Sequence, residues 1–584
     1  MNAAIPGAIA ILCYILGYRF YSRYLAVKVF ALRKQKLTPA HRLNDGVDYV
    51  PTRKLVLFGH HYASIAGLAP MLGPAVAVIW GWLPAMLWVV LGAIFVGCVH
   101  DFGSLVVSMR ADGKSIGKVA EGIIGPRAKT LFHLIIFFLV ALAMGVFVYV
   151  IAFMFSPAPN PSQTGVHFPQ AVIPSLGLML VAAAIGWLGY KKNFSWKILT
   201  PIGFLIILIL IGVSKENSVL AFFGLNDPAK APGIAGWSYI LLFYSFLAAV
   251  LPVWSLLQPR DFLNSLLLYL GLGGLYIGFF LIQPHFAAPA VQAHPEGAPG
   301  LFPYVFIIIA CGAASGFHSL VASGTTAKQL DKETDARFIG YGAMIGESLL
   351  GLMAVLATTA GIISGDVWHQ QYANWSSIQG LGSKVGVFIQ GSSTFLGGLG
   401  IERYTAASFV SLIVVSYALT SLDSATRLLR YNLEEIGETF GISILKNRYA
   451  ASLLGVLSIA FFAFYKIGGR PAGLALWQLF GTTNQLLAGL ALLAVTLYLL
   501  QRGKQWYLAG IPMVFMLIST LKAMAGNIRQ FFYQREWPLF VVGGILLVLA
   551  VWLIIEAFLA LHRFRQEKII IESPEVFIGN QCSK

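Results

Sequence analysis

Long apolar stretches, separated by short polar or basic connections, follow one another along the whole chain. Many are about 17–25 residues long, the length at which an α-helix crosses the hydrocarbon core of a bilayer. Because backbone amides inside lipid must be satisfied within the segment itself, such stretches predict helices. We therefore predict an all-α polytopic membrane protein with about 15 transmembrane helices. The predicted segments lie near residues 3–22, 55–80, 83–108, 130–155, 172–190, 198–213, 236–257, 262–283, 301–324, 338–363, 403–427, 449–465, 472–499, 506–524 and 537–561.

The composition supports a membrane protein and excludes other classes. Of 584 residues, 58% are hydrophobic and only 11% are charged, which no soluble globular protein matches. The net charge of +16 is interpreted as topology signals and headgroup contacts, so no nucleic-acid partner is expected. The first apolar stretch, 3–20, lacks a basic n-region and a small-residue cleavage site, so we interpret it as a retained helix. The four cysteines are scattered singly, which indicates neither a disulfide framework nor a thiolate metal site.

Lysine and arginine concentrate in alternate connections, beginning with the connection after the first helix. The connections 156–171 and 284–300 contain neither residue. Basic residues mark the cytoplasmic side, so we predict that the N-terminus is outside and the C-terminus is cytoplasmic. Two predicted external stretches, 364–402 and 522–536, carry basic residues against this trend. Within the first of them, the apolar and glycine-rich residues 385–400 suggest a short helix lying on, or re-entering, the outer surface.

Two histidine-bearing polar sequences lie inside membrane-length apolar segments. The first is GHHYASIAG at 59–67, and the second is GFHSLVASGTT at 316–326. Hydrocarbon cannot solvate such groups, so they persist only where protein or a water-filled cavity satisfies them. We therefore predict a substrate pathway here, completed by the proline-containing stretch 251–255. The candidate substrate- and ion-binding residues are His60, His61, Tyr62, Ser64, Pro252, Trp254, His318, Ser319, Ser323, Thr325 and Thr326.

Each of these groups has an alternative structural role. His60 and His61 are about 100° apart on a helix, so only an unwound helix would turn both towards one cavity. One of them would bind the coupling proton or a substrate carboxylate, or both would hydrogen-bond neighbouring carbonyl groups. Ser319 and Ser323 share a helix face and suit cation or carboxylate coordination, or they hydrogen-bond their own helix. Trp254 would stack on the substrate, or simply pack.

Acidic groups at membrane depth are functional candidates by default. For Asp423 we favour a structural ion pair with Arg427, four residues later. The polar run Thr482 to Gln485 predicts interhelical hydrogen bonds. No metal ligand or cofactor is assigned. The candidates for a proton relay are His100, Asp101, Glu347 and Asp423.

After the first helix, the next ten form two sets of five that start from opposite sides of the membrane. This is the arrangement of an inverted-topology repeat. Each set is predicted to open with an interrupted helix, the first interrupted between His60 and Pro74 and the second at 251–255. A proline removes an amide donor and frees carbonyl groups for a ligand. The predicted units are 1–54, 55–213, 214–430 and 431–584.

Five stretches carry a resemblance to a known family. They are LFGHHYASIAG at 57–67 with GPA at 73–75, LPVW at 251–254 with PRD at 259–261, CGA at 311–313 with GFHSL and SGTT up to 326, DSATRLLRY at 423–431, and QLFGTTNQLLA at 478–488. Together they resemble the carbon starvation protein A family of bacterial transporters, over about residues 50–500. The resemblance implies uptake of peptides or pyruvate across the inner membrane of starved bacteria, driven by protons. It also implies a five-plus-five inverted-repeat (APC/LeuT-like) core, in which a cation lies between the first and eighth core helices, here 55–80 and 301–324.

A secondary transporter is the leading interpretation, and the protein is not expected to be an enzyme. No G-x-x-x-x-G-K-[ST] loop is present, so ATP is not the energy source within this chain. A Na⁺-coupled transporter of another small carboxylate is one alternative, since the hydroxyl-rich 319–326 stretch would also suit Na⁺. A passive channel is disfavoured, because interrupted helices replace a charged ring or filter sequence. The choices between pyruvate and peptide, and between H⁺ and Na⁺, stay open, as does the oligomeric state.

An intramembrane zinc enzyme is the alternative from another class. Three ligands would have to come from His60, His61, His100, Asp101 and His318. No H-E-x-x-H signature supports it, and Ser319 lies in no G-x-S-x-G elbow of a serine hydrolase.

Overall fold

The computed structural model describes residues 1–158, 167–378 and 381–567, which are mainly helical. The longer helices, numbered in chain order, are α1 (Ala4–Val29), α2 (Lys54–Ile65), α3 (Ala69–Trp80), α4 (Trp82–Arg110), α5 (Pro126–Phe155), α6 (Pro169–Lys191), α7 (Trp196–Val213), α8 (Ile234–Val250), α9 (Leu257–Ile282), α10 (Leu301–Ile308), α11 (316–329), α12 (Glu333–Ala360), α13 (Leu381–Gly397), α14 (Arg403–Phe440), α15 (Arg448–Phe464), α16 (Trp477–Gln501), α17 (Tyr507–Tyr533) and α18 (Trp537–Glu567). Shorter helices are Pro39–Arg42, Ile116–Ile123, Asn217–Phe222, Gly365–Gln371 and Ala472–Ala475. Strands β1 (Lys466–Ile467) and β2 (Arg470–Pro471) pair as a small antiparallel hairpin.

The predicted helical membrane architecture is confirmed. Over the described ranges, eleven helices are long and apolar enough to cross a bilayer, or twelve when α2 and α3 count as one bent span. Each predicted segment overlaps one of the helices above, but α8 and α15 are short and the 301–324 segment is divided. The number of fifteen crossings therefore stays a prediction. The short helix expected around 385–400 corresponds to α13, whose inner face packs on α14, α12 and α9.

The first predicted helix break is confirmed. Helices α2 and α3 are inclined by 48° at a break of three residues, Ala66 to Leu68. The backbone amide of Ala66 still bonds the Tyr62 carbonyl group, after which the helical pattern ends. The side chains His60, His61, Tyr62 and Ser64, which precede the break, are all buried. The polar sequence is therefore satisfied by protein rather than by lipid.

The second break was predicted at the wrong place. Residues 251–256 do not interrupt a helix but connect α8 to α9, because Pro252 follows the end of α8 and Pro259 stands in the first turn of α9. A proline at a helix start loses no intrahelical hydrogen bond, so α9 begins without a defect there. The second interrupted helix is α10–α11, in which residues 309–315 are not regular helix. We call these residues the unwound segment. Gly312 in that segment has φ +88°, a conformation that L side chains rarely adopt.

Glycines on two neighbouring helices allow the unwound segment to lie against them. A Cβ atom on Gly73 of α3 would collide with the carbonyl oxygen of Ile308, and one on Gly97 of α4 with that of Ala313. The backbone of 308–313 is therefore held at close range by α3 and α4. This contact places the two interrupted helices side by side.

Candidate functional site

Four buried ionisable side chains form a continuous chain across three helices. His100 and Asp101 come from α4, His318 from α11 and Glu347 from α12, and none has measurable solvent exposure. The Asp101 carboxylate lies 2.8 Å from His100 Nδ1 through Oδ1 and 2.9 Å from His318 Nδ1 through Oδ2. The other ring nitrogen of His318, Nε2, lies 3.3 Å from Glu347 Oε2. We name these four residues the relay cluster.

The relay cluster has the chemistry of a proton site. Asp101 orients both imidazole rings, so the second nitrogen of His318 is directed at Glu347. Apart from that ion-pair contact, neither oxygen of Glu347 has a hydrogen-bond partner among the described residues. Buried carboxyl groups are normally hydrogen-bonded, so this one is suited to take up and release a proton or a ligand. The sequence predicted relay roles for three of these residues and an ion-binding role for His318, and the structure brings all four together.

Cys311, in the unwound segment, was not predicted as a site residue. Its Sγ atom, a His318 ring nitrogen and a Glu347 carboxylate oxygen all lie within 4.8 Å of one another. The sulfur also lies 3.2 Å from Ser315 Oγ and 3.5 Å from Asn484 Nδ2. The only sequence signal was its place in the CGA stretch at 311–313, because a single cysteine has no spacing to interpret.

Of the five candidate zinc ligands, His100, Asp101 and His318 meet in the relay cluster, whereas His60 and His61 have other hydrogen-bond partners. His60 lies 2.7 Å from Asp261, and His61 lies 2.7 Å from Thr326. Within the described ranges, the grouping that comes closest to a metal site is Cys311, His318 and Glu347. A catalytic zinc site needs at least three protein ligands of these types. The proximity of the three side chains meets this condition, and nothing else in the described part of the structure supports a zinc site.

A cavity of about 570 Å³ leads to Cys311 from the side that the sequence predicts to be external. Its lining includes the connection 297–299 and residues Trp375 and Ser376, all in predicted external stretches. The lining also includes Gly73, Ile308 and Cys311. The volume lies within the range of about 300–1,000 Å³ that is typical of small-molecule sites. The cavity therefore connects stretches that are predicted to be external with the unwound segment, next to the relay cluster.

A second buried network surrounds Arg260. His60 Nδ1 lies 2.7 Å from Asp261 Oδ2, and Arg260 Nη2 donates to Asp261 Oδ1 at 2.8 Å. The same guanidinium pairs with Asp423 and donates to the Tyr244 hydroxyl at 2.7 Å. The expected pair of Asp423 with Arg427 is wrong, because α14 turns Asp423 towards α9 and Arg427 towards the loop between α1 and α2. Sequence spacing alone could not show these partners on other helices.

The remaining residues of the first histidine motif join α2 to its neighbours. His61 Nδ1 lies 2.7 Å from the Thr326 hydroxyl of α11, while the Tyr62 and Tyr417 hydroxyls are 2.8 Å apart. Ser64 Oγ lies 2.7 Å from a serine hydroxyl of α14. These contacts hold the interrupted helix α2–α3 against α11 and α14.

Three hydroxyl groups of α11 are used locally. Ser319, Ser323 and Thr325 each donate to a backbone carbonyl group three or four residues earlier, at 2.7, 2.6 and 3.1 Å. This is the back-bonding alternative, in which the hydroxyl hydrogens are not free to orient a substrate.

Pro252 and Trp254 do not join the relay cluster. Trp254 is part-buried, its indole N–H donates to the Gly46 carbonyl group at 3.1 Å, and the Lys191 ammonium group lies 5.2 Å from its ring. The chain at 251–255 thus packs on the loop between α1 and α2, away from the histidines.

That loop is fastened to α14 by Asp48. The Asp48 carboxylate accepts from Arg427 at 2.8 Å, from Arg430 at 3.1 Å and from the Tyr431 hydroxyl at 2.6 Å. Burial raises the pKa of Asp48, but Arg430 and Arg427 outweigh it, so the pKa is well below its ordinary value. The carboxylate therefore contributes stability above its unfolded pKa near 4, which is lost as the pH falls through the lower folded value.

Asp48→Asn should release this loop at neutral pH. The neutral amide leaves two buried guanidinium groups without their carboxylate, a loss of about 2–3 kcal/mol. We expect faster limited proteolysis within residues 43–53 of the protein in inside-out vesicles. Asp45→Asn is the matched control for α14 contacts, because among the described residues Asp45 accepts only from local amide groups. Equal cleavage rates for Asp48→Asn and the wild-type protein would contradict this role.

The predicted polar run in α16 does make interhelical hydrogen bonds. Asn484 accepts from the Phe317 amide at 2.9 Å, at the start of α11, and Gln485 donates to the Phe306 carbonyl group at 2.7 Å. Thr482 and Thr483 instead bond their own helix. Asn484 thus contacts the start of α11 through this amide and the unwound segment through Cys311.

The chain also matches known proteins over most of its length. The family model described as carbon starvation protein CstA matches residues 2–379 and 368–523. The chain belongs to the CstA family. Membership identifies a membrane transporter, and it confirms the resemblance carried by the histidine motifs.

Several curated relatives share about a third of their residues with this chain. The "Peptide transporter CstA" of Campylobacter jejuni is 32% identical over 571 residues, covering 89% of this chain and 79% of the relative. The Bacillus subtilis protein of the same name is also 32% identical, covering 92% of both chains. The "Pyruvate/proton symporter BtsT" of Escherichia coli is 31% identical over 612 residues, covering 90% of this chain and 82% of the relative.

Solved structures with a similar course of the chain include two transporters. A manganese transporter of Eremococcus coleocola superposes with a TM-score of 0.47 at 14% identity, covering 89% of this chain and 99% of the other. Mhp1, of the nucleobase-cation-symport-1 family, gives a TM-score of 0.44 at 12% identity, covering 90% of this chain and 97% of the other.

Proposed function

We propose that this protein imports pyruvate or short peptides across the bacterial inner membrane by proton symport. The observation that carries the proposal is the meeting of a cavity and a proton site at Cys311. The cavity reaches Cys311 from the predicted external side, and Cys311 lies within 4.8 Å of ligand atoms of His318 and Glu347. A substrate in the cavity and a proton on the relay cluster would therefore lie close enough to affect each other's binding. The names of the relatives supply both substrate classes and the coupling ion.

The conformation fits one end of an alternating-access cycle. The cavity is reached from the predicted outside, while Asp48 fastens the loop between α1 and α2 on the predicted cytoplasmic side. Transport would require the interrupted helices to move and the Asp48 contacts to open. The relay cluster is the candidate proton site of this cycle. The Arg260 network would be structural, since the guanidinium contacts both of its carboxylates.

The inverted repeat is proposed with a changed second start. Helices α2–α3 and α10–α11 are each interrupted, and each is followed by a long helix with π-helical turns, at Trp88–Gly97 and Arg337–Tyr341. Helix α2 follows the basic connection before Lys54, while α10 follows the connection 284–300, which has no lysine or arginine. The two units thus start from opposite predicted sides, as an inverted repeat requires. This supports a second unit that begins at α10 rather than at residue 214.

Uptake into proteoliposomes tests the proposal. We expect labelled pyruvate to accumulate when an inward proton gradient is imposed, and accumulation to end when an ionophore collapses the gradient. Excess unlabelled dipeptide distinguishes the two substrate classes by competition, and an inward Na⁺ gradient at equal pH tests the other coupling ion. Sealed liposomes that take up neither substrate under either gradient would refute the proposal.

The zinc enzyme remains the alternative favoured by a specific observation, the grouping of Cys311, His318 and Glu347. Metal analysis of the purified protein distinguishes the two functions. One tightly bound zinc ion per chain, lost in Cys311→Ser, would support the metal site. Substoichiometric zinc that this variant does not change would support the proton site.

A further inference from the structure

We infer that Lys384 binds the carboxylate group of the substrate in the cavity that leads to Cys311. We also infer that this cavity selects monoanionic carboxylates over zwitterionic peptides. The inference rests on the proposed function and deepens it by naming the substrate class. Lys384 lies in the first turn of α13 and lines the cavity that ends at Cys311. From the sequence, this residue was placed only in a predicted external loop, although basic residues concentrate on the cytoplasmic side.

Among the residues that the structure describes, no acidic side chain pairs with the ammonium group of Lys384. Over the described ranges, no salt bridge or hydrogen bond joins its side chain to an acidic residue, although most basic side chains deep in this protein have such partners. The side chain is also mostly shielded from solvent by the cavity wall. An unpaired cation in such surroundings is costly, and a bound carboxylate would offset that cost. The missing partner is therefore interpreted as the substrate.

The charge of the cavity lining gives the selectivity. In the described part of the chain, no aspartate or glutamate lines the cavity, and Lys384 is its single charged side chain. The other polar side chains are neutral: Ser376, Gln478, Asn527, Gln530 and Gln534, together with the Tyr304 hydroxyl. A carboxylate thus finds a cation and amide donors, whereas the ammonium group of a zwitterionic peptide finds no carboxylate. The volume would admit either ligand, so charge rather than size makes the distinction.

Lys384 and Cys311 line the same cavity, Lys384 from α13 and Cys311 from the unwound segment beside the relay cluster. A small acid held by Lys384 would therefore occupy the cavity that borders the relay cluster. A fixed positive charge in the cavity also raises the local concentration of anions.

Paired inhibition measurements test the inference. In this test, the uptake of labelled pyruvate into proteoliposomes is measured with unlabelled pyruvate, or its neutral analogue pyruvamide, as the inhibitor. In the wild-type protein we expect pyruvate to inhibit about 10 to 100 times more strongly, the size of one charge-assisted hydrogen bond. In Lys384→Met this ratio should fall to about one, while inhibition by pyruvamide is unchanged, since only the charge contact is lost. A merely structural role would weaken both inhibitors equally.

Two further variants make the test decisive. Lys384→Arg keeps the charge and should retain most of the ratio. Lys522→Met removes an exposed lysine of α17 that packs on the Phe302 ring, lies outside the cavity lining and should leave both inhibitors unchanged. If Lys384→Met does not fold, acylation of Lys384 in the wild-type protein replaces it. Pyruvate should then protect this lysine, and pyruvamide should not.

The outcomes separate this inference from the proposed function. Pyruvate transport with an unchanged ratio in Lys384→Met, or no protection from acylation, would overturn only the role of Lys384. Uptake of dipeptide without pyruvate would overturn the selectivity and leave the transporter proposal intact. Absence of any uptake into sealed liposomes would overturn both.

Discussion

Glu347→Gln should abolish proton-driven accumulation of pyruvate while leaving exchange of pyruvate across the membrane intact. Glutamine has the shape of a protonated glutamate but cannot release a proton. The variant would therefore imitate the protonated state of the relay cluster, next to the His318 ring at 3.3 Å. Carriers locked in a loaded state still exchange internal for external substrate, because exchange needs no net proton release. The measurement compares accumulation under an inward proton gradient with counterflow at equal pH.

The matched control is Glu536→Gln, which makes the same change at an exposed position before α18. We expect it to accumulate pyruvate at the wild-type rate. His318→Ala should lose both accumulation and exchange, since it removes the ring between Asp101 and Glu347. Full accumulation in Glu347→Gln would show that the coupling proton binds elsewhere, and His60 with Asp261 would be the next pair to test.

Arg260→Met should destabilise the protein strongly, and by more than Asp48→Asn does. The guanidinium pairs with Asp261 and with Asp423, and all three side chains are almost fully buried. Removal of one partner leaves uncompensated charge in a medium of low dielectric, which typically costs about 3–5 kcal/mol. Thermal unfolding in detergent, followed by tryptophan fluorescence, should show a clearly lower midpoint.

A second substitution tests the electrostatic cause. Arg260→Met combined with Asp423→Leu removes one of the two carboxylates that the first change leaves without the guanidinium, so part of the lost stability should return. Arg33→Met, an exposed change in the loop between α1 and α2, should alter the free energy of unfolding by no more than about 0.5 kcal/mol. If the double variant were no more stable than the single one, packing rather than charge would explain the effect.

The main features of the site could be predicted from sequence because a membrane makes polar groups conspicuous. Glu347, Asp101 and His318 were selected since each is ionisable inside an apolar segment, where such residues are rare. The break after His61 was predictable from the glycines and prolines that follow it. Lys384 and Cys311 were not selected, because a lone lysine in a loop and a single cysteine have no periodicity or motif to interpret.

The partners of these residues could not be predicted. Asp423 has Arg427 four residues away, which is the favoured spacing along one helix, yet it pairs with Arg260 of α9. Because proline interrupts helices, the sequence also indicated a break at Pro252. The chain there simply leaves one helix and enters the next. The break that matters, at 309–315, contains no proline, and depends on Gly312 and on close contact with Gly73 and Gly97.

Sequence by itself thus determined the class of protein, its helices, its family and most of the buried polar residues. These follow from properties of single segments, namely length, hydropathy and the cost of polar atoms in lipid. Tertiary structure alone decided which helices meet, and hence that His318 joins Asp101 to Glu347 and that Asp48 holds Arg427. It also decided where a cavity forms and that Lys384 has no acidic partner among the described residues. Such facts depend on distances between segments far apart in the chain, which local patterns do not encode.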